Sequence, residues 1–563
     1  MKPHSTVWKL AEKIPADISE KLNGYSSVFR QILFNRGISS QEEAELFLGK
    51  GVFDDQGEQL LGIQEGVARI KKAISTGEQI AVYGDYDADG VTSTALIVQT
   101  LLAVNANVRA YIPDRFSEGY GLNVNALDML KSQGISLVVT VDCGIRALHQ
   151  AEHAEKIGID LIITDHHTPG EVLPKVPVLI NPKQPGDLYP EKYLAGVGVA
   201  YKLAQALIAA MPSGDFQVEQ LLDLVAIGTV ADMVPLKGEN RVLVQQGLGH
   251  LRMPRRQGVV SLMGISGTKP ERVSAMDIGF GLGPRINAAG RIASALDAYQ
   301  LLVTDDVFEA GKFAQILDNR NRERQRITQE IQEKAEELTQ SESEDAYLVF
   351  AYHPDFNPGV VGLAASRLVE QHYKPAVVGF QGEEFTRASC RSIPEFNITK
   401  ALEQCADLLV QYGGHAAAAG FTVSNDKLDL LNERLQSIAK TELAGESLHP
   451  KISIDAEVKL EDLKPSLLQE MAQLEPTGME NPSPVFSSRN VIVRGSKTVG
   501  REGAHLKLTL SDGRITFDAI AFRLGFWNDQ LPEQIDIAFS FELNEFMGRQ
   551  TLQLNIKDIK QAA

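Results

Sequence analysis

Three short apolar runs in the first third of the chain each stop on an acidic residue. Residues 80–83 lead into Gly84-Asp85-Tyr86-Asp87-Ala88-Asp89-Gly90, residues 137–141 into Asp142-Cys143-Gly144, and residues 161–164 into Asp165-His166-His167. Runs that are apolar on both faces and alternate with helical stretches, such as residues 92–104, specify a parallel sheet covered on both sides. Ligands of such a sheet collect outside the carboxyl ends of its strands. The three clusters are therefore expected in one crevice of a doubly wound α/β domain.

Asp85, Asp87 and Asp89 stand at alternate positions, share one side of an extended segment, and repel one another unless cations sit between them. The pattern reads as a metal site rather than a calcium loop, since no Glu occupies the twelfth position an EF-hand requires. Asp232, after the apolar helical stretch 221–227 and the turn Gly228-Thr229, is a further candidate. Carboxylates joined by one or two imidazoles suit Mn²⁺ or Mg²⁺. There are also more carboxylates than one ion needs. A pair of ions about 3.5–4 Å apart would use them all and would clamp an in-line displacement at phosphorus.

At 563 residues the chain holds several packed cores. Residues 1–50 read as a helical lead-in and 51–305 as the first α/β domain. Residues 306–345 read as one long connecting helix with apolar positions Ala310, Phe313, Leu317, Ile327, Ile331, Ala335 and Leu338. The middle of that helix is polar all round, as expected of a helix that bridges two domains or touches a polar ligand. Residues 346–447 form a smaller α/β domain. Residues 448–563 alternate strictly at 506–510, 535–543 and 552–556, with Asp512-Gly513 as a hairpin turn, which fits a small barrel of the OB type.

Lys plus Arg number 55 against 73 for Asp plus Glu, a net charge of −18, so a polyanion would need a locally basic track rather than bulk charge. Arg320, Arg322, Arg324 and Arg326, and Arg252, Arg255 and Arg256, are the candidate islands. The three cysteines make neither a disulfide framework nor a metal spacing, which fits a reducing compartment. No apolar run reaches the length of a membrane span and the first ten residues lack a signal pattern, so a cytoplasmic location without membrane contact is expected. His149 and His153 stand at i, i+4, but without the Glu that zinc proteases place after the first histidine.

The strings YGDYDADGVTST (83–94), VDCG (141–144) and TDHH (164–167), in that order, resemble the DHH phosphoesterase superfamily. GYGL (119–122), LAGVGVA (194–200), GTVADMVPL (228–236), GPRINAAGR (283–291), HPDFNPGVVGLAASR (353–367) and GGHAAAAG (413–420) are similar to its bacterial single-strand-specific 5′-to-3′ DNA exonucleases. The likeness covers nearly all the chain beyond the lead-in. It implies a DHH domain, a DHHA1 domain and an OB-fold at 51–305, 346–447 and 448–563.

It also implies a two-ion Mn²⁺ or Mg²⁺ site in which Asp87, Asp89, Asp142, His166 and Asp232 are ligands and Asp142 bridges. Pyrophosphatase relatives carry a histidine where Tyr83 stands, and Asp85 becomes the sixth ligand. Asp142, His167 and His415 are the implied catalytic groups. Arg115, before the turn Gly119-Tyr120-Gly121, would hold the 5′-phosphate with Ser389 and Arg391; a guanidinium offers bidentate donors for that task. Cys390 stands where family members commonly have glycine. Gly413, Gly414 and His415 form the DHHA1 signature, whose glycine amides can approach an oxyanion. Arg285 and Arg291, flanking Asn287, would line the strand's path, and Phe522, Phe526 or Trp527 would stack on bases.

The implied activity is hydrolysis of single-stranded DNA to 5′-mononucleotides in recombination and repair. A single-strand-binding protein and a RecQ-type helicase are the implied partners. Two other readings compete. One is a phosphodiesterase of short oligonucleotides or cyclic dinucleotides, whose chains generally lack the terminal barrel. The other is a non-catalytic DHH scaffold, against which the intact Asp87, Asp89, Asp142 and His166 speak.

Overall fold

The computed structural model describes residues 6–51, 57–115, 118–119, 121–339, 346–446, 448–546 and 548–562; Tyr120 of the expected glycine-rich turn lies outside them. The first domain is built on five parallel strands, ordered Asn107–Tyr111, Gln79–Gly84, Ile135–Val141, Asp160–Thr164 and Val178–Ile180. The pleat sends successive side chains to opposite faces. Ile80, Val82, Val139 and Ile162 thus enter a core with the helices Ala88–Ala103 and Gly196–Ala210. Ala81, Tyr83, Val138 and Ile163 enter a second core with Val124–Ser132 and Leu148–Ile157. The strands read as continuously apolar because both faces are covered.

One sequence expectation changes here. Gly228 and Thr229 do not form a turn but lie inside the helix Leu222–Ala231, with Asp232 at its C-cap. Gly196 and Gly198 stand in the first turn of the helix Gly196–Ala210.

The connecting helix spans Val307–Thr339; residues 340–345 of the expected stretch lie outside the described residues. Its first half puts Ala310, Ala314 and Leu317 into the first domain's core, and its second half puts Ile331 and Ala335 into the next domain. The polar middle is explained by Asp318, which is buried and pairs with Arg285 at 2.9 Å and Arg322 at 2.7 Å. The expected basic island on this helix is consequently mostly neutralised, because Arg320 also pairs with Asp297 and Arg326 with Glu330. Arg324 alone of the four keeps a buried Nε with no hydrogen-bond partner. In the other island Arg256 is tied to Asp223 and to the carbonyl of Leu302.

The second domain is a five-stranded sheet ordered Leu409–His415, Ala418–Ser424, Phe385–Arg391, Ala376–Gln381 and Val349–His353. The last domain is a closed five-stranded barrel. Phe486–Val499, His505–Ser511 and Thr516–Ala521 form an antiparallel meander. Arg549–Gln561 runs parallel to Thr516–Ala521, and Gln534–Phe546 closes the ring onto Phe486–Val499. That strand order is the OB topology.

The lead-in is not a free-standing helical segment. Val7–Leu10 is a strand, parallel to Lys451–Ile454. The helices behind it bring Leu22, Phe29, Ile32 and Leu33 into the same core as Leu467, Leu474 and Phe486 of the C-terminal unit. Arg241, buried on the helix Gly238–Arg252 of the first domain, fastens this unit to the rest. Its guanidinium lies 3.9 Å from the Phe47 ring centroid and donates to the carbonyls of Phe47, Gln473, Leu474, Glu475 and Pro476. Among the described residues no helix is long and apolar enough to cross a membrane.

Candidate metal centre and nucleic-acid interface

The ends of the second, third and fourth strands in the sheet's order converge with the C-cap of Leu222–Ala231, as the open-sheet rule requires. Three sets of donor atoms each lie within 4.8 Å of one another: Asp85, Asp87 and Asp142; Asp142, His166 and His167; and Asp89, His166 and Asp232. Asp142 belongs to two of these sets and is thus placed to be shared. His166 Nε2 lies 3.1 Å from Asp142 Oδ1, 3.5 Å from Asp232 Oδ2 and 3.9 Å from Asp89 Oδ2. All six residues expected as ligands are therefore in one cluster, and His167 and Asp165 join them.

Local structure explains each position. Asp87 caps the helix Ala88–Ala103, its Oδ1 accepting from the amides of Asp89 and Gly90. The Asp89 carboxylate accepts from the amides of Gly196 and Val197, both at 2.7 Å, where a helix N-terminus favours negative charge. Asp142 holds a left-handed backbone, φ 60°, which costs energy in a non-glycine residue and marks a constrained position. A Cβ on Gly196 would lie 2.7 Å from Asp142 Oδ1, so only glycine lets the helix start this close to the carboxylate. Asp165 is the organiser of the third loop. It accepts from the amides of Ile145, His166 and His167 and from His167 Nδ1 at 2.7 Å.

The electrostatics are those of a cation site. Burial and neighbouring carboxylates push Asp89 up to about 7 and Asp232 up to about 9, and hold Asp85 and Asp142 well above the usual carboxylate range. Burial and the adjacent His167 take His166 down to about 3, so its ring is neutral. Burial opposes charge on Asp165, yet its hydrogen bond with His167 keeps it low and raises His167 in turn. Asp85 Oδ1, Asp142 Oδ1 and His166 Nε2 are buried with no hydrogen-bond partner. Buried polar atoms are rarely left so. Oxygen donors with a neutral imidazole fit Mn²⁺ or Mg²⁺, which would take up these orphaned atoms.

His415 reaches this site from the second domain. It lines a cavity of about 280 Å³ together with His167, Asp165, Gly144, Ile145 and Arg146 of the first domain. Gly413, Gly414 and His415 end an exposed edge strand. Ser389 and Arg391 lie on one face of Phe385–Arg391, both against Gly362, while Cys390 points the other way into the domain's core. The Cys390 thiol is therefore turned away from the face of those two residues. The Arg115 guanidinium lies 5.0 Å from the centroid of Tyr86, within the D-x-D segment.

Other expected residues are placed differently. Arg285 is engaged by Asp318 and by the carbonyl of Gly281, which makes it a tie between helices. Arg291 donates to the carbonyl of Gly359 at the joint of the two α/β domains. Trp527 packs against the barrel's core, whereas Phe522 and Phe526 are exposed. His153 pairs with Asp128 on a helix surface, outside the donor sets of the centre. Asn181 and Lys183, not among the expected residues, follow the fifth strand and bond the backbone of the two histidines. The strand-end rule applied to Val178–Ile180 would have found them.

Fold and donor cluster together define a hydrolase of the DHH class. Family models agree: the DHH family N-terminal domain matches residues 79–229, the DHHA1 domain 345–441 and the RecJ OB domain 454–558. The single-stranded-DNA-specific exonuclease RecJ of Bacillus subtilis is 41% identical over 533 residues, 94% of this chain and 67% of that protein. Its namesake in Escherichia coli is 35% identical over 94% of this chain and 95% of that protein. The crystal structure of RecJ in complex with Mn²⁺ from Thermus thermophilus superposes with a TM-score of 0.85 at 28% identity, covering 99% of this chain and 80% of that one. The chain belongs to the RecJ family.

Proposed function

We propose that this protein is a metal-dependent 5′-to-3′ exonuclease of single-stranded DNA that releases 5′-mononucleotides. The observation that supports this reading most is the convergence of Asp85, Asp87, Asp89, Asp142, His166 and Asp232 in one cluster with His167, which shares a cavity with His415. The similar RecJ proteins of Bacillus subtilis and Escherichia coli are single-stranded-DNA-specific exonucleases, and RecJ of Thermus thermophilus binds Mn²⁺ and Mg²⁺. Two such ions bound here would polarise the phosphodiester and lower the pKa of the attacking water. The chain's own residues do the rest. Asp142 holds the shared position, His167 is kept oriented by Asp165, and His415 donates to the scissile phosphate.

Arg115, Ser389 and Arg391 fix the terminal 5′-phosphate, which sets polarity by measuring one nucleotide from the end. Gly413 and Gly414 present amides to the strand. A passage between the two α/β domains admits one strand and not a duplex, and the barrel, with Phe522 and Phe526 exposed, receives the strand beyond. Work alongside a single-strand-binding protein and a RecQ-type helicase in the cytoplasm completes the proposal.

The test is digestion of 5′-labelled and 3′-labelled single strands, blunt duplex and short RNA by wild type and Asp142→Ala, with Mn²⁺ or EDTA. The expected result is early release of labelled mononucleotide from the 5′-labelled strand alone, dependent on Mn²⁺ and on Asp142. Equal rates on blunt duplex, or release from the 3′ end, would overturn it.

A further inference from the structure

The His166–His167 dipeptide is gripped at every polar backbone atom. Its two amides are bound by Asp165. Its two carbonyls are bound by side chains from the loop after the fifth strand: Lys183 Nζ donates to His166 O at 2.7 Å, and Asn181 Nδ2 donates to His167 O at 3.0 Å. Asn181 is fully buried, and its Oδ1 accepts from the amide of Lys183 at 2.8 Å, so the two residues form one unit. The loop is itself anchored to the sheet, since Asp165 N donates to Ile180 O and Gln184 N to Asn181 O. The Lys183 ammonium also lies 5.5 Å from the Tyr193 ring centroid, which fixes the side chain's course.

An imidazole's direction follows from its backbone. His166 carries the Nε2 that faces three carboxylates at 3.1 to 3.9 Å, so a small rotation of its peptide moves that nitrogen off the donor cluster. Groups behind the ligands of a metal site set ligand orientation and affinity. We infer that Asn181 and Lys183 are positioning residues of the metal centre, holding the carbonyls of His167 and His166 so that both imidazoles meet the carboxylates. This rests on the functional reading above. Asn181 acts through the histidine backbone; Lys183 does so too, and its charge also acts on Asp165 and Asp232.

Asn181→Ala removes two of the three side-chain bonds without changing charge. Lys183→Met removes the third together with a positive charge, and Lys183→Arg keeps a donor and the charge. Full-length proteins stripped with EDTA would be titrated with Mn²⁺ by calorimetry and by the Mn²⁺ electron paramagnetic resonance signal, melted without metal, and assayed on a single-stranded oligonucleotide. Asn181→Ala is expected to raise the Mn²⁺ Kd roughly tenfold. Both Asn181→Ala and Lys183→Met are expected to lower kcat at saturating Mn²⁺, with the oligonucleotide KM within about twofold of wild type and Lys183→Arg recovering part of the loss.

A merely structural role would instead lower the metal-free melting temperature and leave Kd and kcat of the folded fraction unchanged, and that result would overturn the inference. So would wild-type Mn²⁺ binding and turnover in Asn181→Ala and Lys183→Met alike. Absence of Mn²⁺ binding in the wild type would instead remove the metal-dependent reading itself, and an Asp142→Ala control that loses the ion marks which of the two has failed.

Discussion

His166 Nε2 faces Asp142 Oδ1 at 3.1 Å, and both atoms are buried without meeting the geometry of a hydrogen bond. Two groups in that relation are a poor arrangement for a protein on its own and a good one for a protein with a cation between them. Folding has gathered carboxylates that repel one another. The cluster is thus a feature whose stability depends on proton and metal concentrations.

Asp89 and Asp232, at about 7 and about 9, sit above the ordinary carboxylate value of about 4. For such groups the stabilising contribution is whole below the unfolded value and is withdrawn as pH rises through the folded one. The metal-free protein is therefore expected to melt at progressively lower temperature between about pH 5 and pH 9. Mn²⁺ should raise the melting temperature more at about pH 8 than at about pH 5, because protons compete for the same oxygens. Scanning calorimetry with EDTA and with Mn²⁺ checks this, and equal Mn²⁺ shifts at both pH values would contradict it.

Gly196→Ala puts a methyl group 2.7 Å from Asp142 Oδ1. Either that carboxylate or the helix turn that donates to Asp89 must move. A displacement near 1 Å at reacting groups costs on the order of 10²-fold in rate. Steady-state assays should find kcat down by about that factor, with the circular dichroism spectrum unchanged.

Arg391→Ala removes a charge-assisted contact that we assign to the terminal phosphate, worth roughly 1.5–3 kcal/mol. Oligonucleotides with a 5′-phosphate should then lose about 10- to 100-fold in kcat/KM, while 5′-hydroxyl oligonucleotides change little. A parallel loss on both substrates would place Arg391 elsewhere in the reaction.

Arg241→Lys keeps the charge but offers three donors where a guanidinium offers five. The five carbonyls it serves span residues 47 and 473–476. Each buried carbonyl left unpaired costs about 1–3 kcal/mol. Urea denaturation should show an earlier transition, and limited proteolysis should cut near residue 475 before the wild type is touched.

The sequence made the centre legible because strand-end carboxylates follow from a local pattern and one topological rule. Asp85, Asp87, Asp89, Asp142 and His166 are found where that rule puts them, and Asp232 joins them although the helix before it runs on through Gly228 and Thr229. The alternation in the C-terminal region likewise foretold a barrel, since its period is a local property. Contacts between distant segments were not legible. Arg285 looks like a strand-lining group until Asp318 is seen beside it, and Arg320 and Arg326 look like a basic track until Asp297 and Glu330 neutralise them. Nothing in residues 1–50 announces that Leu22 and Phe29 complete a core with Leu474 and Phe486.

That last pairing joins segments far apart along the polypeptide and sets an order on its synthesis. Phe29 and Ile32 leave the ribosome more than four hundred residues ahead of Leu474 and Phe486. At about 5–20 residues per second they wait roughly 20–90 s for the partners that cover them. The catalytic half can fold during that interval, while the earlier-made helices must be kept from aggregation until the later-made strands arrive.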